Sequence, residues 1–207
     1  MGADDDIANS VIDDNIEYAF STNTKNMAVM VSQGIKNTLD IDLCGGLHTI
    51  DQAHHEIHEG CYWFADDISA SLASGDIKYW LLVTPNETNY FHSFPYVVGT
   101  GEFEVQTYEG VTVATNGTEL PLYNRNRNIT SSTTFKFYKD PTTPNITGCP
   151  ILRNIRTGSG KGAIGDSRSE NELILKPNTK YLIKVTSRAA GTFVTTHMNG
   201  YICGLGG

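Results

Sequence analysis

The run EFEVQTYEG (102–110) alternates, with Phe103, Val105 and Thr107 on one face of an extended chain and Glu104, Gln106 and Tyr108 on the other. A period of two is the signature of a half-buried antiparallel strand. The pattern recurs along the chain. TTFKFYK sets Phe135 and Phe137 against Lys136. CYWFADDIS and IKYWLLVT are aromatic and aliphatic runs separated by SGD, and ELILKP, YLIKVTSR and GTFVTTHM follow with turns at PNTK and AAG. No amphipathic helix lies between these runs, so the crossovers of a parallel α/β sheet are missing. The spacing predicts an all-β fold of seven or eight strands over residues 51–207, a β-sandwich of the jelly-roll type.

Residues 1–50 lack a clean period. IANSVIDDNIEYAF and KNMAVMVSQGIKNTL each space their apolar residues for a short helix, against which Gly34 and the many Asn and Asp residues weigh. An N-terminal acidic arm, extended or short-helical, is expected there. Residues 139–170 also break the strand rhythm, with three Pro, five Gly and the cations Arg153, Arg156, Lys161 and Arg168. A long loop is expected there, either solvated or meeting an acidic partner surface or the acidic arm of a neighbouring copy.

Charge divides along the same line. Residues 1–60 hold eleven acids against Lys25 and Lys36, a net −9, and the rest of the chain carries +1, which together make the −8 of the whole. An acidic chain without clustered Lys and Arg is a poor ligand for phosphate, so no nucleic-acid partner is expected. No apolar stretch approaches the roughly 18 residues of a membrane span, and MGADDDIANS lacks the basic and apolar regions of a secretion signal. Synthesis in a host cytoplasm is therefore expected. The four Cys (44, 61, 149 and 203) form no C-x-x-C pair, and free thiols are expected.

The segment DQAHHEIHEG (51–60) makes His54, His55 and His58 the candidate metal ligands. The zinc-protease signature H-E-x-x-H fails in both registers. His55-Glu56 would need His where Glu59 stands, and His54 and His58 have His55 where the general-base Glu belongs. The H-x-H of a cupin site is absent too. The segment is expected to be a structural strand opening the body, with His54, Glu56 and His58 on one side and Gly60 turning into CYWF. GKGAIG (160–165) satisfies G-x-G-x-x-G but lacks a helix after it, and Gly162 follows Lys161 where a phosphate-binding loop needs Ser or Thr. No nucleophile elbow is present. Neither a cofactor nor an enzymatic activity is expected.

AHHEIHEG (53–60), LPLYNRNRNITSSTT (120–134) and IGDSRSENELILKPNTKYLIKVTSR (164–188) occur in this order. Together they resemble a group of tailed-bacteriophage virion proteins, the capsid decoration or cement proteins, over about residues 51–188. The resemblance implies a structural role at the outer surface of the virion, with the major capsid protein as partner and a homotrimer as the assembly. Arg125 and Arg127 stand two apart in YNRNRN, so a strand there would project both from one face toward partner carboxylates. They join Arg153, Arg156, Lys161 and Arg168 as candidate partner-binding residues. Two other classes compete. A carbohydrate- or receptor-binding module would use Tyr62, Trp63, Tyr90, Phe91 and Tyr96, whose expected role is otherwise core packing. A cupin-like metal protein would use His54, His55, His58 and His92.

Overall fold

A computed structural model describes residues 8–13, 16–20, 28–32, 35–38, 52–87, 90–158, 162–164 and 172–203. The chain divides into two compact units, Met1–Asp51 and Gln52–Gly207. The first is a four-stranded antiparallel meander of β1 (Ala8–Asp13), β2 (Ile16–Phe20), β3 (Ala28–Ser32) and β4 (Ile35–Thr38). The extended half of the expectation for this region is what its described residues show, and the short helices do not form there. In VIDDNIEY the spacing that looked helical is broken by Asp13, Asp14 and Asn15, residues that favour a turn over a helix interior.

The second unit opens on a helix, α1 (Gln52–His58). Among the described residues thirteen strands follow: β5 (Tyr62–Ile68), β6 (Ile77–Val83), β7 (Tyr90–Ser93), β8 (Tyr96–Gly99), β9 (Phe103–Glu109), β10 (Thr118–Leu120), β11 (Tyr123–Asn124), β12 (Lys136–Lys139), β13 (Ile151–Arg156), β14 (Gly162–Ile164), β15 (Leu173–Leu175), β16 (Lys180–Ser187) and β17 (Val194–Cys203). Their pairing is nested. β5 pairs β17, β6 pairs β16, β7 pairs β15, β8 pairs β14, β9 pairs β13 and β10 pairs β12, all antiparallel. The unit is thus one long folded ribbon. Further pairings, β16 with β9 and β17 with β8, roll the ribbon into two sheets. The first sheet has the order β10-β12-β6-β16-β9-β13, and the second β11-β5-β17-β7-β15. A nested ribbon rolled into two antiparallel sheets is the jelly roll.

The inner faces meet in one core. Trp80, Leu82, Phe103, Val105, Phe137, Ile183 and Val185 come from the first sheet, and Ala65, Phe91, Val97, Leu175, Val194 and Met198 from the second. Phe135 and Phe137 are both buried on one face, as their spacing predicts. The Trp80 indole N–H donates to Asp67 Oδ2 at 2.9 Å, and the Lys139 ammonium donates to Asp67 Oδ1 at 3.3 Å. The buried indole therefore has its acceptor, and the acceptor has a counter-charge. Gly200 is required where β17 passes β7. A Cβ there would lie 2.4 Å from Phe91 Cζ and 2.5 Å from the His92 carbonyl oxygen.

Two expectations need correction. Residues 139–170 are not one solvated loop. The first part of the segment lies over the outer face of the first sheet, through bridges of Thr112 to Asn145 and of Thr115 to Thr142. Val113, Ile146 and Cys149 there cover a second small core of Leu81, Tyr108, Val111 and Leu182. This cover is why IKYWLLVT and YLIKV read as continuous apolar runs: both faces of β6 and β16 are buried. The rest of the segment supplies β13 and β14, and a strand at Gly162–Ile164 is the wrong element for a phosphate-binding turn.

The second correction is α1. DQAHHEIHEG is helical at Gln52–His58, not extended. Gly60, at φ 73°, ends the helix in a Schellman motif, in which the Cys61 N–H donates to the Glu56 carbonyl at 2.8 Å and the Gly60 N–H donates to the Ile57 carbonyl at 3.1 Å. Glycine after EIHE is a helix-stop signal, and it accounts for the same residues better than a strand turn does. Among the described residues no helix is long and apolar enough to cross a membrane.

Two measurements test this core. Phe137→Ala, at a fully buried position, lowers stability by about 3–5 kcal/mol in urea unfolding, whereas Ile68→Ala, at an exposed position, changes it by less than about 0.5 kcal/mol. Tyr181 is buried, and its hydroxyl accepts from the Lys176 N–H at 2.8 Å and donates to Glu109 Oε2 at 3.3 Å. Burial first, and the Glu109 carboxylate after it, push the phenol up to about 12 from its ordinary 10.0. The folded state keeps the proton where the unfolded chain has lost it. The stabilising contribution is therefore whole below pH 10 and fades as pH rises to about 12. Tyr181→Phe flattens that part of the stability–pH curve.

Candidate functional site

The body offers three groups of chemistry-bearing side chains. The first is on α1. His54 and His58 lie one turn apart, both exposed, with ring centroids 4.9 Å apart and Nε2 atoms 3.0 Å apart. His55 points elsewhere, with Nδ1 3.8 Å from Glu56 Oε1. The fourth expected ligand of a cupin-type set, His92, sits on β7 and is paired with Glu172, Nδ1 to Oε1 at 2.5 Å. Among the described residues no group of three or more His, Cys, Asp or Glu side chains is placed to hold a metal.

The second group lies on the outer face of the second sheet. The strand register puts Tyr62, Tyr201 and His92 side by side on β5, β17 and β7. The His92 ring stacks on Tyr201 at 4.7 Å, and the Tyr201 hydroxyl donates to Glu172 Oε1 at 3.1 Å. Tyr62 and Tyr201 are buried there, beneath Ile57 of α1 and beside Phe94. One register step along, the Tyr96 ring stacks on His197 at 4.2 Å, and His197 Nδ1 is 2.8 Å from Asp66 Oδ1. This face is tied together by His–carboxylate pairs on an aromatic bed, all of them between neighbouring strands.

Arg125 and Arg127 belong to the rim of this face. They are not on a strand, because β11 ends at Asn124. The Asn126 N–H donates to Asn124 Oδ1 at 2.8 Å and the Asn128 N–H to Asn126 Oδ1 at 3.2 Å, so YNRNRN folds as successive Asx turns. Each guanidinium covers a tyrosine: Arg125 is 5.0 Å from the Tyr62 ring centroid, and Arg127 is 5.6 Å from that of Tyr123. Arg125 Nη2 also donates to Asn199 Oδ1 at 3.5 Å. The shared-face expectation is replaced by two intramolecular cation–π contacts.

The third group is β13, the last strand of the first sheet. Among the described residues only β9 pairs with it, so its other edge has no described strand beside it. Ile151, Leu152 and Ile155 are 50%, 40% and 39% exposed along it. Arg153, expected to be a partner contact, instead reaches across the sandwich, donating from Nη1 to the Pro95 carbonyl at 3.0 Å. Burial pulls its guanidinium below the ordinary arginine value, as expected of a side chain spent on internal structure. Arg156 is exposed and pairs with Glu102, Nη2 to Oε1 at 2.6 Å, next to the ion pair of Arg188 with Glu104. Lys161 and Arg168 lie outside the described residues.

The candidate residues therefore scatter. The histidines of α1 and the YNRNRN arginines belong to the second sheet's side, and Arg153 and Arg156 to the edge of the first. Of the aromatics considered for a saccharide or receptor site, Tyr62, Trp63 and Phe91 are buried, in agreement with a packing role, and Tyr90 and Tyr96 remain at the surface. The apolar edge of β13 was missed in the sequence reading. Its signal was present in ILRNIR, a β-branched run with Pro150 before it. Cys61 and Cys149 are free thiols. Burial, followed by the Glu56 and Glu59 carboxylates, raises the Cys61 thiol above its ordinary range, which disfavours the reactive thiolate. No family model, curated protein or solved structure matches the chain.

If Arg125 acts on Tyr62, Arg125→Ala lowers stability by about 0.5–1 kcal/mol in urea unfolding, and a Tyr62→Leu background removes most of that difference. An additive double variant would show that the stacked geometry contributes nothing.

Proposed function

We propose that this chain is a structural virion protein of the capsid-decoration class, binding and stabilising a major capsid lattice as a homo-oligomer, with a trimer as the assembly. The observation that carries this reading is the edge of β13. Folded proteins blunt such edges with charge, proline or a cover, because an open apolar edge recruits another chain. Here three apolar side chains stand exposed beside an edge that, among the described residues, pairs with no strand but β9. That combination suits strand addition, in which backbone hydrogen bonds supply affinity and alternate side chains supply specificity.

The resemblance of three sequence blocks to decoration proteins supports the same reading. So does the use of the body's polar chemistry. Arg153, Arg156, His92 and His197 are each engaged with a neighbouring strand or loop of the same unit. These contacts harden a scaffold. A lattice-bound protein repeats one modest contact many times, so its hold on the particle comes from multivalency. The acidic residues 1–60 add a charged segment able to meet basic lattice surfaces.

The test is a variant carrying Leu152→Lys and Ile155→Lys. Both positions are exposed, so the variant keeps the circular-dichroism spectrum of the parent protein. Its expected phenotype is loss of co-sedimentation with undecorated capsids of the cognate particle. Co-sedimentation equal to that of the parent would remove β13 as the contact and with it the basis of this reading.

A further inference from the structure

We propose that His54 and His58 form a two-histidine clamp for one divalent transition-metal ion of the copper(II) or nickel(II) class, which locks α1 in its helical form. The inference does not rest on the capsid reading and fails separately from it. It begins with spacing. Residues i and i+4 share a face only when the backbone is helical, and Gln52–His58 is helical. Both imidazoles are exposed, and their Nε2 atoms lie 3.0 Å apart. With metal–nitrogen bonds of about 2.0–2.1 Å, that separation corresponds to a nitrogen–metal–nitrogen angle of about 95°. This is close to the right angle between adjacent positions of a tetragonal ion and well short of the tetrahedral angle that zinc prefers. The geometry therefore favours copper(II) and nickel(II), and the order of intrinsic affinity for imidazole agrees.

The surroundings fit a clamp of two ligands. The rings are stacked with an interplanar angle of 20° and both side chains are exposed, so side-chain rotation can aim the two nitrogens at one ion. In the ion-free state the two nitrogens share one hydrogen bond, which holds the pair close before the ion arrives. His55, beside Glu56, is not part of the pair and serves as an internal control. Water fills the remaining positions of the ion. Because the extended chain cannot bring residues 54 and 58 together, the ion binds the helical form and stabilises it by mass action. α1 covers Tyr62 and Tyr201 through Ile57, so the ion fastens the lid of that aromatic cluster.

The experiment uses the full chain without an affinity tag. Titration calorimetry with copper(II), nickel(II) and zinc chlorides should give one saturable site per chain, tightest for copper and weakest for zinc. Copper(II) electron paramagnetic resonance should show two coupled imidazole nitrogens. His54→Ala and His58→Ala should each weaken copper binding at least about tenfold and reduce the count to one nitrogen. His55→Ala should leave both readouts unchanged. Copper should also raise the melting temperature of the parent protein and not that of the His54→Ala, His58→Ala double variant. The proposal is overturned by the absence of a saturable site, by a double variant that binds like the parent, or by a loss on His55→Ala equal to that on His54→Ala.

Discussion

Everything in the body depends on its last strands closing over its first. β17 lies between β5 and β7, and β16 lies between β6 and β9, so each is the central strand of its sheet. Until Met198 stands opposite Ala65 and Ile183 opposite Trp80, neither inner face is complete. Closing so long a chain carries an entropic cost that rises slowly with loop length, and nothing is gained until the non-local pairs form. The core is therefore built to be decisive when it does form. Trp80, Phe103 and Phe137 are fully buried within it, and the rings of Phe91 and Phe135 meet at 4.3 Å.

Nesting has a second consequence. A rolled ribbon buries the backbone edges of its interior strands and leaves edges only at the ends of each sheet. The first sheet ends in β10 and β13, the second in β11, β15 and, through β8, β14. β10, β11, β14 and β15 are of two or three residues, which is itself a safeguard against pairing with another chain. β13 has six residues and an apolar rim, and so is the exception. Its one strong anchor besides β9 is Arg153, whose guanidinium spans to Pro95 on the opposite sheet. The exposed apolar rim and a tie across the sandwich thus share one strand.

The polar chemistry follows the same economy. Two histidines of the second sheet sit beside carboxylates, His92 with Glu172 just before β15 and His197 with Asp66 on β5. Each pair bridges strands that are far apart in the chain, and each imidazole also stacks on a tyrosine. Among the described residues two histidines meet one another only on α1, and there helix geometry alone brings them together.

Local chemistry along the chain was enough to determine the fold class and the facing of most strands. The alternation of Phe103, Val105 and Thr107, and of Phe135 and Phe137, predicted which side chains are inside, because a strand's period of two depends on no partner. It was not enough for α1, where a short histidine-rich segment fits either period and the Schellman glycine at residue 60 was the one local clue. Nor did it reveal the two-sided burial of Leu81 and Leu182, whose cover comes from Val111, Val113, Ile146 and Cys149 over the first sheet. Which strand pairs with which, where Arg125 and Arg153 reach, and that β13 is left as an edge were decided by the tertiary structure. The physical reason is that alternation specifies a face and says nothing of a neighbour. Neighbours are chosen only when both sheets bury their apolar faces at once.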